Sequence, residues 1–290
     1  MAEARAISFR PQVWRDRALH AAIIGGALTV ALTLGWLVGG LLWHGLGKLS
    51  LSFLLDAPVS SGRRGGIGPI IVSTLWIVAV AIFVALPVGI TTAVLLVEYA
   101  PPGSRAAAAV SLALDVLAGM PSIVFGLFGN ALFSIWLGLG FSILSGGLTL
   151  ACMVLPILIR TTEAGLRDVP PDWRMGAAAL GLSRLAALWQ ILLPAAASAI
   201  IAGLMLGIGR ALAESAALIF TSGYVDRMPG SLLDSGRSLA VHIFDLTMNV
   251  PGGEQSAYAS ALVLVGLLIV INGAVLFATH RLLRRRIVLA

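Results

Sequence analysis

Two charged residues stand in an otherwise apolar stretch: Arg210 and Glu214, in the segment Gly209-Arg210-Ala211-Leu212-Ala213-Glu214-Ser215-Ala216. At i and i+4 on a continuous helix they share one face. An arginine at mid-membrane costs about 2.5–3.5 kcal/mol on insertion scales, so it persists when it is paired or lines a polar path. Its planar fork of donors also matches the oxygens of a tetrahedral oxyanion. Two readings stand side by side: a structural ion pair between helices, or a place on an anion's route. Arg160 ends another apolar run, and snorkelling to the interface accounts for it equally well. Asp115 is a lone acid in a weaker run and has no assigned role; an arginine across the bundle or the interface would serve it equally.

Other chemistry is absent. Gly47-Lys48 lacks the earlier glycine and the following Ser or Thr of a phosphate-binding loop, so any ATP binds on another chain. His20, His44, His242 and His280 are scattered, with no zinc-ligand spacing. There is no G-x-S-x-G and no assembled nucleophile, base and orienter. Neither a metal nor a cofactor is expected on this chain. An aspartyl-type intramembrane hydrolase needs two facing acids, and Asp115 with Glu214 is a poor candidate pair. A scaffold or receptor would have no need of Arg210.

The elements that hold these residues follow from composition. Of 290 residues, 59% are hydrophobic and 11% charged, against about 25% charged in a soluble domain. Mean hydropathy is +0.99. Lipid must therefore be the solvent. The net charge of +6 comes from basic residues at the ends of apolar runs, a pattern of membrane anchoring and not of nucleic-acid binding. The single cysteine, Cys152, lies in an apolar run and has no partner for a disulfide.

With about 20 apolar residues per crossing, six spans are expected, at roughly 19–43, 69–97, 107–128, 143–160, 188–216 and 258–280. The third is interrupted by Asp115 and Pro121, and the run 127–142 reads either as a re-entrant piece or as the top of that helix. The first run is too long for a signal peptide and reads as an uncleaved span. With both termini inside, the inside segments carry 13 basic residues and the outside segments 5, Arg210 lying in the membrane. This divides the chain into a cytoplasmic segment 1–18, a transmembrane unit 19–280 and a basic cytoplasmic tail 281–290. The outer segments near 44–68 and 217–257 are rich in turn residues.

The inside segment at about 161–187 is long and mixed in polarity. Gly176-Ala177-Ala178-Ala179-Leu180 precedes Gly181, and nine residues later comes Ile191-Leu192-Leu193-Pro194. Small residues leave a helix open to close approach, Gly181 can take a positive-φ turn between two short helices, and Pro194 starts or kinks the next span. A plain helical hairpin is the simpler account.

This stretch resembles the cytoplasmic "EAA" loop of ABC importer permeases, E-A-A, three residues, Gly, nine residues, I-x-L-P. Here Met175 stands at the Glu position and Gly176 at the first Ala. The resemblance extends through Gly65 to Leu75, Leu117 to Gly129, Leu155 to Glu163, Arg167 to Pro170, Gly209 to Thr221 and Leu239 to Ile243. In that order these segments are similar to phosphate (Pst-type) permeases, more to the A-type member of the permease pair than to the C-type. The resemblance implies a six-helix type I importer permease that does no bond chemistry. It implies Arg210, Glu214 and Arg160 on the substrate path, and Gly176, Ala177, Ala178, Gly181, Ile191 and Pro194 in coupling to an ATPase. It also implies four kinds of partner: a C-type permease, a dimer of ATP-binding subunits using ATP and magnesium, a periplasmic phosphate-binding protein, and membrane lipid. The same architecture importing sulfate or molybdate is the alternative. The localisation implied is the bacterial inner membrane.

Overall fold

A computed structural model describes residues 10–101 and 103–287. Arg5, and parts of the expected terminal segments 1–18 and 281–290, lie outside the described residues. The chain is almost entirely helical. Helix α1 spans Arg10–Gly45, α2 Leu51–Leu55, α3 Gly68–Val94, α4 Arg105–Gly119, α5 Ser122–Gly129, α6 Ile143–Arg167 and α7 Pro171–Ala179. Helices α8 Arg184–Ala187, α9 Leu193–Ala195, α10 Ala197–Ala213, α11 Ala216–Ile219, α12 Leu239–Met248 and α13 Glu254–Ile287 follow. A two-stranded hairpin, β1 Pro58–Val59 and β2 Arg64–Gly65, is the one sheet among the described residues.

Among the described residues, four helical stretches are long and apolar enough to cross a membrane unbroken: Trp14–Lys48, Gly68–Tyr99, Ile143–Arg167 and Glu254–Thr279. The remaining two expected spans are bent. The third does not run on from 107 to 128: α4 and the stretch Ser122–Trp136 meet at 108°. Pro121 dictates the break. It pushes the preceding residue out of the helical region, and Met120 is extended at φ −72° and ψ 136°. The fifth is bent by 65° between Arg184–Ala195 and Ala197–Ala213, just after Pro194, and its helix ends at Ala213, short of the expected 216. Serines cap the starts of several helices: Ser142, Ser183 and Ser238 accept hydrogen bonds from the backbone N–H groups of Ser145, Ala186 and Val241.

The core is the pairing of α3 with α6, to which α10 adds. Ile77, Ala81 and Ala85 of α3 meet Leu150, Val154 and Leu158 of α6, with Phe125 and Leu218 closing the cluster. Water does not drive this packing in a bilayer. Close van der Waals contact does, which favours small residues. Gly147 illustrates the demand: a Cβ there would come within 2.5 Å of the Val80 side chain. By contrast α1 touches chiefly α13, and its span is unburied along its apolar stretch.

Candidate functional site: three polar clusters on the bundle

The first cluster joins α6 to α4. Arg160 donates to Asp115 Oδ1 at 2.5 Å, to Ser111 Oγ at 2.7 Å and to the Ser111 carbonyl at 3.1 Å. A further N–H reaches Glu163 at 3.2 Å, and Glu163 in turn accepts from Arg167 at 2.9 Å. Asp115, without a role on sequence grounds, is thus the counter-ion of Arg160. Their side chains are 64% and 37% exposed, so solvent or headgroups screen the pair. Position alone could not reveal this partner, because it lies 45 residues away.

The second concerns Arg210 and Glu214, and it corrects the expected pairing. The helix stops at Ala213, and Glu214 takes an extended conformation, φ −77° and ψ 126°. Its carboxylate accepts from the Ala217 N–H at 3.2 Å, capping α11, where a negative charge meets the positive end of the helix. Arg210 remains in the last turn of α10 with its side chain exposed. Among the described residues no ion pair joins Arg210 to Glu214. The shared face requires a helix continuous through 214, and local capping has ended it. Arg160, Arg210 and Glu214 therefore do not form one bonded cluster.

The third is the loop that carries α7 and α8. Helix α7 ends in a turn in which Gly181, at φ +71°, donates to the Ala178 carbonyl at 3.0 Å and Leu182 donates to the Ala177 carbonyl at 3.0 Å. This double closure needs a left-handed residue, which glycine supplies without strain. Ala177 is buried, so the bare face consists of Gly176, Ala178 and Ala179, flanked by exposed Met175 and Leu180. Arg174 anchors α7 to the bundle. It meets Glu98 at 2.7 Å and the carbonyls of Leu166 and Val169 at 2.8 and 2.9 Å. Sequence reasoning missed Glu98; an acid at the end of a long apolar helix was the available signal. Ile191 packs against the cluster of Val94, Leu166, Leu188 and Leu192, and Pro194 lies in α9, just before the bend.

On the opposite end, Arg237 is 8% exposed and reaches the Tyr224 carbonyl at 2.8 Å, Asp245 at 3.1 Å and His242 Nδ1 at 3.4 Å. His242 is fully buried, and its Nε2 has no partner. Burial first, and then the Arg237 charge, lower its pKa to about 4 against the opposing pull of Asp245. The ring packs beneath Gly62 of the hairpin, where any side chain would collide with it. Among the described residues no group of His, Cys, Asp and Glu is arranged to hold a metal.

Among the described residues, four unbroken apolar helices, two bent helix pairs and a glycine-hinged loop define a polytopic membrane protein. The fold matches a solved bacterial ABC transporter involved in the import of the acidic polysaccharide alginate, with a TM-score of 0.64 at 16% identity, covering 95% of this chain and 99% of the other. A probable ABC transporter permease, YqgI of Bacillus subtilis, is 30% identical over 85% of this chain and 88% of its own length. The phosphate transport system permease protein PstC 1 of Mycobacterium tuberculosis is 33% identical over 72% of this chain and 69% of its own. PstA 2 of Mycobacterium bovis is 29% identical over 92% and 88%. The model of the family described as binding-protein-dependent transport system inner membrane component matches residues 85–289. This chain belongs to that family, as a multi-pass transport component of the membrane and not an enzyme.

Proposed function

We propose that this chain is the membrane-spanning permease subunit of an ATP-driven importer that carries inorganic phosphate across the cytoplasmic membrane, with both termini inside. The observation that carries this reading is the helix–Gly181–helix loop pinned to α3 by Arg174 and Glu98, in a chain whose relatives include permeases named for phosphate transport. The loop from about 161 to 187 transmits ATP hydrolysis, with Gly176, Ala178 and Gly181 meeting an ATP-binding subunit that holds the ATP and magnesium. A second permease completes the pathway, and a periplasmic binding protein delivers the anion. The segment resemblance favours the A-type place in the pair, with a C-type partner.

On the substrate path the geometry favours Arg210 over Arg160. Arg160 is already saturated by Asp115, Ser111 and Glu163, whereas Arg210 has no ion pair with a described residue and would be costly facing lipid. Lining the passage or the permease–permease seam relieves that cost and offers a donor fork to a dianion. Glu214 holds the helix break that presents it. The test is uptake of radiolabelled phosphate by proteoliposomes holding the four kinds of subunit, with sulfate and molybdate as competitors. Competition by phosphate and arsenate alone supports the reading. Inhibition by sulfate or molybdate at equal concentration would move the cargo to another oxyanion.

A further inference from the structure

Beside the Gly181 loop lie two clefts. One, of about 280 Å³, is lined by Arg174, Arg184, Glu98 and Tyr99, together with Ala177 and Ala178 of the loop. The other, of about 510 Å³, is an apolar groove between α3 and the stretch Arg184–Ala195, with Leu86, Ile90, Leu95 and Leu193 in its walls. Tyr99 and Leu188 line both, so the charged cleft and the apolar groove meet along a shared wall, a channel with a charged and an apolar part. Each wall carries a π-helical turn, Leu95–Tyr99 on one side and Leu188–Leu192 on the other. Such turns widen a helix locally and often mark binding sites.

The charges within this channel are not equivalent. Arg174 is committed to Glu98, but Arg184 has no ion pair with a described residue. Half-exposed Tyr99 and more exposed Trp189 stand at the groove, amphipathic rings of the kind that settle at headgroup level. An uncommitted guanidinium above an apolar groove, at the basic side of a membrane protein, matches one chemistry: an anionic headgroup on an acyl chain.

We propose that this channel binds an anionic phospholipid, its headgroup at Arg184 and one acyl chain along α3. A free anion would gain nothing from the apolar groove, and an apolar helix of another subunit would gain nothing from Arg184. The site rests on the membrane orientation given above and is independent of the cargo.

The test is native mass spectrometry of the assembled complex, released from detergent with equal phosphatidylglycerol and phosphatidylcholine. Phosphatidylglycerol should be retained in preference. Arg184→Gln should lower its retention about fivefold and leave phosphatidylcholine unchanged. Thr91→Trp, which fills the groove from α3, should remove both; if that variant fails to assemble, the Arg184→Gln result decides alone. Equal retention of the two lipids, no change in Arg184→Gln, displacement by excess inorganic phosphate, or crosslinking of Thr91→Cys to the second permease would each overturn the proposal. Labelling of Arg184→Cys, in a Cys152→Ser background, by an impermeant thiol reagent reports orientation separately. Access only from the outer face would overturn the orientation on which the site rests, and the proposal with it, whatever the cargo.

Discussion

Arg174 on α7 and Glu98, in the π-helical turn Leu95–Tyr99 that continues α3, are 2.7 Å apart, an ion pair that crosses 76 residues of sequence and fixes the α7–α8 loop to the second span. Two carbonyls share the same guanidinium. Any push on α7 therefore reaches α3, the helix most extensively packed on α6.

Glu98→Gln keeps the shape and removes the charge. Leaving a partly buried arginine with only carbonyl partners should cost about 1–3 kcal/mol. The expected outcome is an assembled complex whose ATP hydrolysis continues but no longer responds to loaded binding protein. Substrate-stimulated hydrolysis at the wild-type level in Glu98→Gln would show that the pair does not transmit.

Arg210 and Glu214 should behave as independent residues. Arg210→Gln is expected to abolish phosphate uptake with normal membrane insertion. Glu214→Gln is expected to lower thermal stability slightly, because it turns a charge-assisted hydrogen bond from the Ala217 N–H into a neutral one. Since no ion pair joins the two, the double mutant should show the sum of both effects. Recovery of uptake in the double mutant would instead reveal a buried pair, in which neutralising both partners is tolerated.

These outcomes depend on a feature that spacing concealed. The helical register of Arg210 and Glu214 is readable, but nothing in Ala213-Glu214-Ser215 announces a break; the capping of α11 by Glu214 appears only once the chain turns there. The break at Met120–Pro121 was more legible, because proline constrains its predecessor whatever the tertiary context. The Gly181 turn was legible for a similar reason, a local backbone need. Asp115 with Arg160 and Glu98 with Arg174 were not, since their partners are 45 and 76 residues apart. Lipid-facing helices also carry little amphipathic signal. For that reason apolar runs located the spans, while the facing surfaces of α3 and α6 had to come from packing.

The cluster of Arg237, His242 and Asp245 should make stability depend on acid. His242 is neutral when folded, with a pKa near 4, against an ordinary 6.5. Its charged neighbours are Arg237 from the preceding loop and Asp245 on its own helix, and Gly62 of the hairpin lies against the ring. Between these values the unfolded chain binds the proton and the folded chain does not. Stability therefore falls as pH drops from 6.5 towards 4, by about 3 kcal/mol in full. Thermal unfolding of the purified complex at pH 7.5 and pH 5, in wild type and His242→Gln, measures this. The wild type should lose more than the variant, and equal losses would place the acid sensitivity elsewhere.

Gly181 gives the sharpest test of the loop. Its φ of +71° lies where L-residues are strained, and a Cβ there would meet nothing within 4 Å. Substitution is thus a pure backbone experiment with no packing clash to confuse it. Left-handed geometry costs a β-branched residue about 1–2 kcal/mol or more, enough to reopen the turn that closes α7 through Ala177 and Ala178. The spans do not share this strain, because the turn is exposed and their packing lies elsewhere. Gly181→Val should therefore assemble poorly with the ATP-binding subunit while the chain itself inserts and folds. Gly181→Asn, which tolerates the left-handed region, should retain most of the docking. The face so displaced, Gly176, Ala178 and Ala179 with Met175 and Leu180, offers apolar contact in place of the Glu found at the first position of the related loops. Docking should accordingly be insensitive to salt. Pull-down of the ATP-binding subunit at low and high ionic strength, with substrate-stimulated hydrolysis measured alongside, checks both points. Full stimulation in Gly181→Val would remove the turn from the coupling path.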